Sequence, residues 1–272
     1  MMRRIAAGLL GLAVLALTIG WTALAPSNRR EWQAEQRLMP RVRFDGSRVS
    51  IDNVRNFRWD PGTNARPSWD TRTYDLGALS SVWYVLTPFS RDRRGPAHAF
   101  VSFGFDDGTH IAISVEARRE QGEQYSIVRG LLKRFEIMYV VGDERDLIQQ
   151  RVVRGDDVYL YPLRASREQA RLLFTDMLTR ANDLHERPEF YGTLRNNCTT
   201  NLLEHVNRIA DEPIRYGRRI LFPGYSDEVA HERGLIDTDL PLAEARAKFL
   251  INDRALGASG RTDYSQRIRP TD

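Results

Sequence analysis

The sequence predicts an α+β fold, a central antiparallel sheet packed against helices, behind one N-terminal transmembrane helix. Three features carry that reading. The first half holds short runs rich in β-branched and aromatic residues, two of them joined by an Asp-Gly turn. The second half holds apolar residues at helical spacing. Residues 5–25 carry no charge, and about 20 such residues cross a bilayer.

Residues 1–25 therefore read as a membrane anchor, the alternative being a signal sequence. A cleavable signal has an apolar region of only ~7–15 residues. Ala23-Leu24-Ala25 resembles a cleavage site, but Pro26 directly after it suits a processing protease poorly. Arg3 and Arg4 precede the span, which keeps that end cytoplasmic and exports the rest. In a bacterium this places a single span in the inner membrane and the C-terminal domain in the periplasm. No cysteine near residue 25 is available for lipidation.

Residues 26–40 are polar and arginine-bearing, and they read as a juxtamembrane linker with Trp32 at the membrane interface. The folded domain is expected over 41–255. Residues 41–59 alternate in part, suggesting two short strands ended by Asp60-Pro61-Gly62. Residues 64–73 look like a loop, and 81–87 form a strand by composition. A hairpin follows over 98–117 about Asp106-Asp107-Gly108. With Gly108 left-handed, His98 faces Glu116, and Gly104 faces His110. Ala99, Val101, Phe103 and Phe105 then share a core face with Ile111, Ile113 and Val115, while His98, Ser102, Ser114 and Glu116 share the polar one.

Residues 135–141 and 158–163 are further strands, with a turn over 151–157 between them. Ser166 and Gln169 form a capping-box pattern before a helix carrying Leu173, Phe174, Met177 and Leu184. A second helix runs from Cys198 to about residue 209, with Asn196 or Asn197 as its N-cap. Short helices are expected near 227–233 and 242–250. The polar tail 256–272 is expected to be loose.

About 240 residues outside an anchor are enough for one large domain. Of the 40 basic residues only Lys133 and Lys248 are lysines, giving a formal charge of +4. Such arginine content suits phosphate or anionic lipid, and it also follows from codon bias. No run of like charges and no basic patch interleaved with aromatics points to nucleic acid.

Cys198 is the sole cysteine, which excludes a disulfide framework and a cysteine zinc site. At a helix start, unpaired N–H groups and the helix dipole favour a thiolate. A histidine then makes such a thiol a nucleophile, and His98, with Glu116 opposite to fix its tautomer, is the best partner. The backbone N–H groups of Cys198 and Thr199 are candidates for an oxyanion site. The plain structural alternatives are a small buried residue for Cys198 and a solvated carboxylate for Glu116. His110 would lie ~20 Å along the strand from His98, so it reads as surface, along with His185, His205 and His231. No His-x-x-x-His, carboxylate cluster, glycine-rich nucleotide turn or Gly-x-Ser-x-Gly occurs, so neither metal nor cofactor is expected.

His98-Ala99-Phe100-Val101-Ser102-Phe103-Gly104-Phe105-Asp106-Asp107-Gly108, Ser114-Val115-Glu116-Ala117-Arg118-Arg119-Glu120, Tyr139-Val140-Val141-Gly142-Asp143-Glu144-Arg145, Asn196-Asn197-Cys198-Thr199-Thr200-Asn201 and Phe222-Pro223-Gly224-Tyr225-Ser226 occur in that order. Together they resemble the Lnb N-terminal periplasmic domain family over roughly residues 45 to 255. That family is similar to circularly permuted papain-like proteins, the group containing lecithin:retinol acyltransferase. The resemblance implies a permuted papain-like fold, Cys198 as nucleophile and His98 as base. Those acyltransferases carry a second histidine on the next strand, and the matching position here is Glu116. The family's named activity is N-acylation of bacterial lipoproteins through a cysteine thioester. Members with that activity carry further membrane-spanning helices after this domain, and no second apolar stretch follows here.

Three functions are therefore carried forward. The first is a membrane-anchored periplasmic cysteine acyltransferase or hydrolase acting on a phospholipid or lipoprotein. The second is a hydrolase of cell-wall peptides or amides. The third is a non-catalytic envelope module that binds lipid or a protein. An apolar groove beside Cys198 favours lipid, and a polar cleft rimmed by arginines favours peptide.

Overall fold

A computed structural model of the chain describes residues 25–59, 65–90 and 95–270. The apolar run at 5–24 and the turn at Asp60-Pro61-Gly62 lie outside those residues. Among the described residues, no helix is long and apolar enough to cross a membrane.

Eight strands form one sheet: β1 (Arg41–Asp45), β2 (Arg48–Arg55), β3 (Trp69–Asp75), β4 (Leu79–Pro88), β5 (Ala97–Phe105), β6 (His110–Arg118), β7 (Glu136–Gly142) and β8 (Tyr159–Pro162). The order is β1-β2-β7-β6-β5-β4-β8, with β3 on the free side of β2. Every pairing is antiparallel except a single rung, Arg55↔Gly142, that joins β2 to β7. The helices are α1 (Ile127–Leu131), α2 (Glu144–Val153), α3 (Arg167–Glu186), α4 (Cys198–Asn207), α5 (Arg218–Leu221), α6 (Ser226–Glu232), α7 (Leu242–Phe249), α8 (Asn252–Gly257) and α9 (Tyr264–Arg267). The fold is α+β, with a central sheet packed against helices.

Helices cover both faces of the β5–β6 hairpin. On one face Phe174 of α3 meets Phe103 edge-on at 4.9 Å, and Leu202 of α4 shares a cavity wall with Val101. On the other face α2 is anchored where Ser102 donates to Glu144 at 2.6 Å. The polar face of the hairpin is therefore buried, not solvated: His98, Ser102 and Ser114 are all inside. Gly108 takes φ +80°, the left-handed turn that sets this register.

Two elements differ from the sequence expectation. β3 occupies part of the stretch read as loop; it is an edge strand with no fully buried residue, held by its pairing with β2 and carrying Asp70, Arg72 and Asp75. α2 covers residues to which no element is assigned and the start of the expected turn at 151–157, and it buries Glu144, Asp146, Gln149 and Gln150 along with its apolar side chains. A helix that buries polar groups shows no apolar stripe. Its charges are matched instead, Asp146 by the fork of Arg55 at 2.9 Å and Glu144 by Arg269 at 2.7 Å.

Both flanks of the domain are packed against it. Trp32, expected at a membrane surface, is buried under the Arg118 guanidinium, 4.2 Å from the ring centre. Gln36 is buried too, and Arg118 Nε donates to its carbonyl at 3.0 Å. The tail expected to be loose instead buries Ala258, Tyr264 and Ile268 and carries Arg269, bound through both terminal nitrogens to Glu144.

Candidate active site

The β5–β6 ladder runs in the expected register, from Gly104↔His110 to Val101↔Ile113. Beyond the last rung the Ala99 N–H faces the Cys198 sulfur and favours its thiolate, so the start of α4 sits at the end of the ladder. α4 starts there because Asn197 caps it. Its Oδ1 accepts from the Thr199 and Thr200 N–H groups at 3.0 and 2.9 Å, and the Thr200 hydroxyl accepts from the Asn197 N–H at 2.8 Å. Asn196 turns the chain into this cap from the left-handed region, φ 61°. Its amide donates to Glu189 and Phe190 O, and its oxygen accepts from Asn201.

Cys198, His98 and Glu116 line one cavity of about 310 Å³. The thiol and the imidazole face each other closely enough that each shifts the other's hold on its proton. On the far side of the ring, Nε2 lies 2.7 Å from Ser114 Oγ and 3.1 Å from Glu116 Oε1. Ser114 gives its own proton to Glu116 at 2.8 Å, so its lone pair accepts from Nε2–H. That leaves Nδ1 for the thiol. Arg151 of α2 reaches the same Glu116 oxygen at 3.1 Å.

The electrostatics follow from this order. Burial pushes the His98 imidazole down, but Glu116 and the thiol outweigh burial and the opposing charge of Arg151, and its pKa rises to about 9. Burial pushes the Cys198 thiol up; His98, with the Ala99 N–H and Thr199, brings it below the ordinary thiol value. Burial likewise disfavours the Glu116 carboxylate, yet His98, Arg151 and Ser114 hold it well below the usual carboxylate range. The three groups together favour thiolate, imidazolium and carboxylate in a row.

The expected helix-cap and oxyanion residues separate into different tasks. The Thr199 N–H is taken by Asn197, which removes it as an oxyanion donor, while the Thr199 hydroxyl lies 3.7 Å from the Cys198 sulfur. Asn196 and Asn197 hold the backbone of the turn. His205 is not on the surface. It is buried on the inner face of α4, with Nδ1 2.6 Å from Asp176 and Nε2 2.6 Å from the Tyr139 hydroxyl.

Sequence reasoning missed Arg151, Tyr125 and Tyr191, and it placed Ser114 on the face of His98 and Glu116 without giving it a role. Tyr125 and Tyr191 line the cavity and pack edge-on at 6.1 Å. Burial first, then the nearby Cys198 charge, pushes the Tyr191 phenol well above its ordinary value, so it keeps its proton. Ser114 was legible in principle, two residues before Glu116 on the same strand face. The tyrosines gave no signal, since they come from loops remote in sequence from both strands and from each other.

The model of the Lnb N-terminal periplasmic domain matches residues 65–221, more than half of the chain. The chain belongs to that family. No curated protein and no solved structure matches it. The Lnb N-terminal periplasmic domain thus takes in β3 through α5, and with them His98, Glu116, Arg151 and Cys198. Glu35, Gln36 and Arg55, which close the cavity from the N-terminal side, precede the matched region.

Proposed function

We propose that this periplasmic domain is a cysteine acyltransferase or hydrolase that works through a thioester on Cys198. The observation that carries the proposal is that Cys198, His98 and Glu116 line one cavity, with the His98 imidazole 3.1 Å from the Glu116 carboxylate on one side and facing the thiol on the other. The Cys198 thiolate attacks an ester or amide carbonyl, and the oxyanion that forms takes a hydrogen bond from the phenols of Tyr125 and Tyr191. His98 gives its Nδ1 proton to the departing alcohol or amine as the carbonyl re-forms, leaving an acyl-thioester. An incoming amine or water then loses a proton to His98 as it attacks, and the thiolate is released. Glu116 keeps Nε2 protonated throughout, so that Nδ1 is the nitrogen that exchanges protons.

The proposal extends to the setting: a single N-terminal span in the inner membrane, and a phospholipid or lipoprotein as substrate. A small apolar cavity of about 80 Å³, lined by Thr199, Leu202 and Val206 on the flank of α4, supports an acyl chain. The lining of the Cys198 cavity itself, with Arg119, Arg151 and Arg154, favours the second reading, a cell-wall peptide or amide. Mass spectrometry of the intact protein after incubation with envelope lipids or with muropeptides tests both. A mass adduct on Cys198 that disappears in Cys198→Ser is expected from one of the two substrates. An adduct that survives the substitution, or none with either substrate, leaves the non-catalytic binding module.

A further inference from the structure

The cavity that holds Cys198 is lined by four arginines whose charges are matched unequally. Arg55 is bound through its fork to buried Asp146, both contacts at 2.9 Å. Arg151 shares the Glu116 oxygen with His98. Among the described residues, Arg119 and Arg154 face one carboxylate, Glu35, at 3.8 and 3.9 Å, too far for a hydrogen bond to either. Arg119 adds only a long contact to Gln36 Oε1 at 3.4 Å. Asp156 is the remaining acidic residue of the lining. The two forks beside Glu35 can each offer paired N–H donors to a planar or tetrahedral oxyanion. A neutral ligand entering the same space would strip water from both guanidiniums and return nothing.

Resting on the thioester reading above, we propose that Arg119 and Arg154 form an oxyanion subsite, so that the substrate of Cys198 carries a phosphate or carboxylate beside its reacting carbonyl. The two residues are specificity-determining: they reach the substrate's charged group, not the carbonyl. Phosphate chemistry would come from a phospholipid headgroup and carboxylate chemistry from a peptide terminus. In either case the anion inserts between the two forks and loosens the hold of Glu35.

The sole cysteine makes the test direct, because alkylation of the full-length protein reports Cys198 alone. Rates with iodoacetate, which is anionic, and iodoacetamide, which is neutral, are measured and compared with the same ratio for free cysteine. At low salt the iodoacetate-to-iodoacetamide ratio is expected to exceed that of free cysteine by about tenfold. It should fall severalfold toward the free-cysteine value in Arg119→Ala/Arg154→Ala, with His98 and Arg151 still in place, and likewise in the wild type at about 1 M salt. Arg119→Gln/Arg154→Gln, which keeps more of each side chain's bulk, replaces the alanine pair if that fails to fold. A wild-type ratio equal to that of free cysteine, or one that the double variant leaves unchanged, overturns the subsite. If neither reagent modifies Cys198, the thioester reading falls first and takes the subsite with it. Competition against iodoacetate separates the sources: sn-glycerol 3-phosphate should protect if the ligand is a headgroup, and N-acetyl-D-alanine if it is a peptide carboxylate. Protection by neither counts against the subsite.

Discussion

At the scale of single residues, the chemistry proposed for Cys198 depends on charges that buried groups hold in place. Glu116 keeps His98 protonated, and protonated His98 keeps Cys198 ionised. Replacing Glu116 by Gln removes the charge that raises His98. The pH at which Cys198 becomes reactive toward iodoacetamide should then move up toward that of an ordinary thiol, near 8.5. Alkylation rates between about pH 5 and 10 read the shift, and an unmoved profile would falsify the role given to Glu116. Stability carries a related signature. His98 is raised in the folded protein to about 9, so its contribution is complete below its unfolded pKa of ~6.5 and is lost as pH rises through about 9. Glu116 is depressed, so its contribution is complete above ~4.3 and is lost as pH falls through its folded value. The difference in melting temperature between wild type and Glu116→Gln should therefore be largest between about pH 4.3 and 6.5 and shrink toward pH 10. A constant gap across that range would contradict it. His98→Ala removes the proton carrier and should slow thioester formation by a factor of ~10² or more, measured in single turnover.

At the scale of elements, α4 is set by its cap. Asn197 satisfies two first-turn N–H groups and so fixes where Cys198 stands relative to β5. Asn197→Ala should cost about 1 kcal/mol in urea denaturation and also slow alkylation of Cys198, because the first turn frays. A stability loss with unchanged alkylation would separate the cap from the site. On the inner face of the same helix Asp176, His205 and Tyr139 form a buried polar chain that continues to Asn201, and Asn201 donates to Asn196 and to the Asn197 carbonyl. The turn before Cys198 is thus held from below as well as by its cap. The Phe222-Pro223-Gly224-Tyr225-Ser226 stretch has an equally local reason. Gly224 donates to Gly95 O at 2.7 Å, and a Cβ there would stand 2.8 Å from the Gly95 nitrogen.

At the scale of the whole molecule, the segments at both ends complete the domain. Glu35 and Gln36 form a wall of the Cys198 cavity, and Arg269 neutralises Glu144 of α2, whose partner face carries Arg151 to Glu116. Arg269→Ala leaves Glu144 buried with Ser102 and without its cation, which should cost ~3–5 kcal/mol. Denaturant unfolding measures it, and adding Glu144→Gln should recover part of the loss. Limited proteolysis should spare 256–270 under conditions that cut exposed loops, since Tyr264 and Ile268 are buried. Early cleavage there would restore the reading of a loose tail.

The sequence by itself determined the hairpin register, the capping box of α3 and the N-cap of α4. Each is a local rule in which a turn residue, a side-chain oxygen or a period of two acts on neighbours within a few positions. That register put His98 and Glu116 on one strand face before any tertiary contact was known. What it could not determine was where the end of that face leads. Only the tertiary structure brought Cys198 there from 100 positions away, laid α2 over the polar face of the hairpin, and folded Trp32 and Arg269 back onto the domain. These elements are held by matched charges and hydrogen bonds between distant segments. Such pairs leave no periodicity in the chain, because each partner is polar and its burial depends on the other being in place.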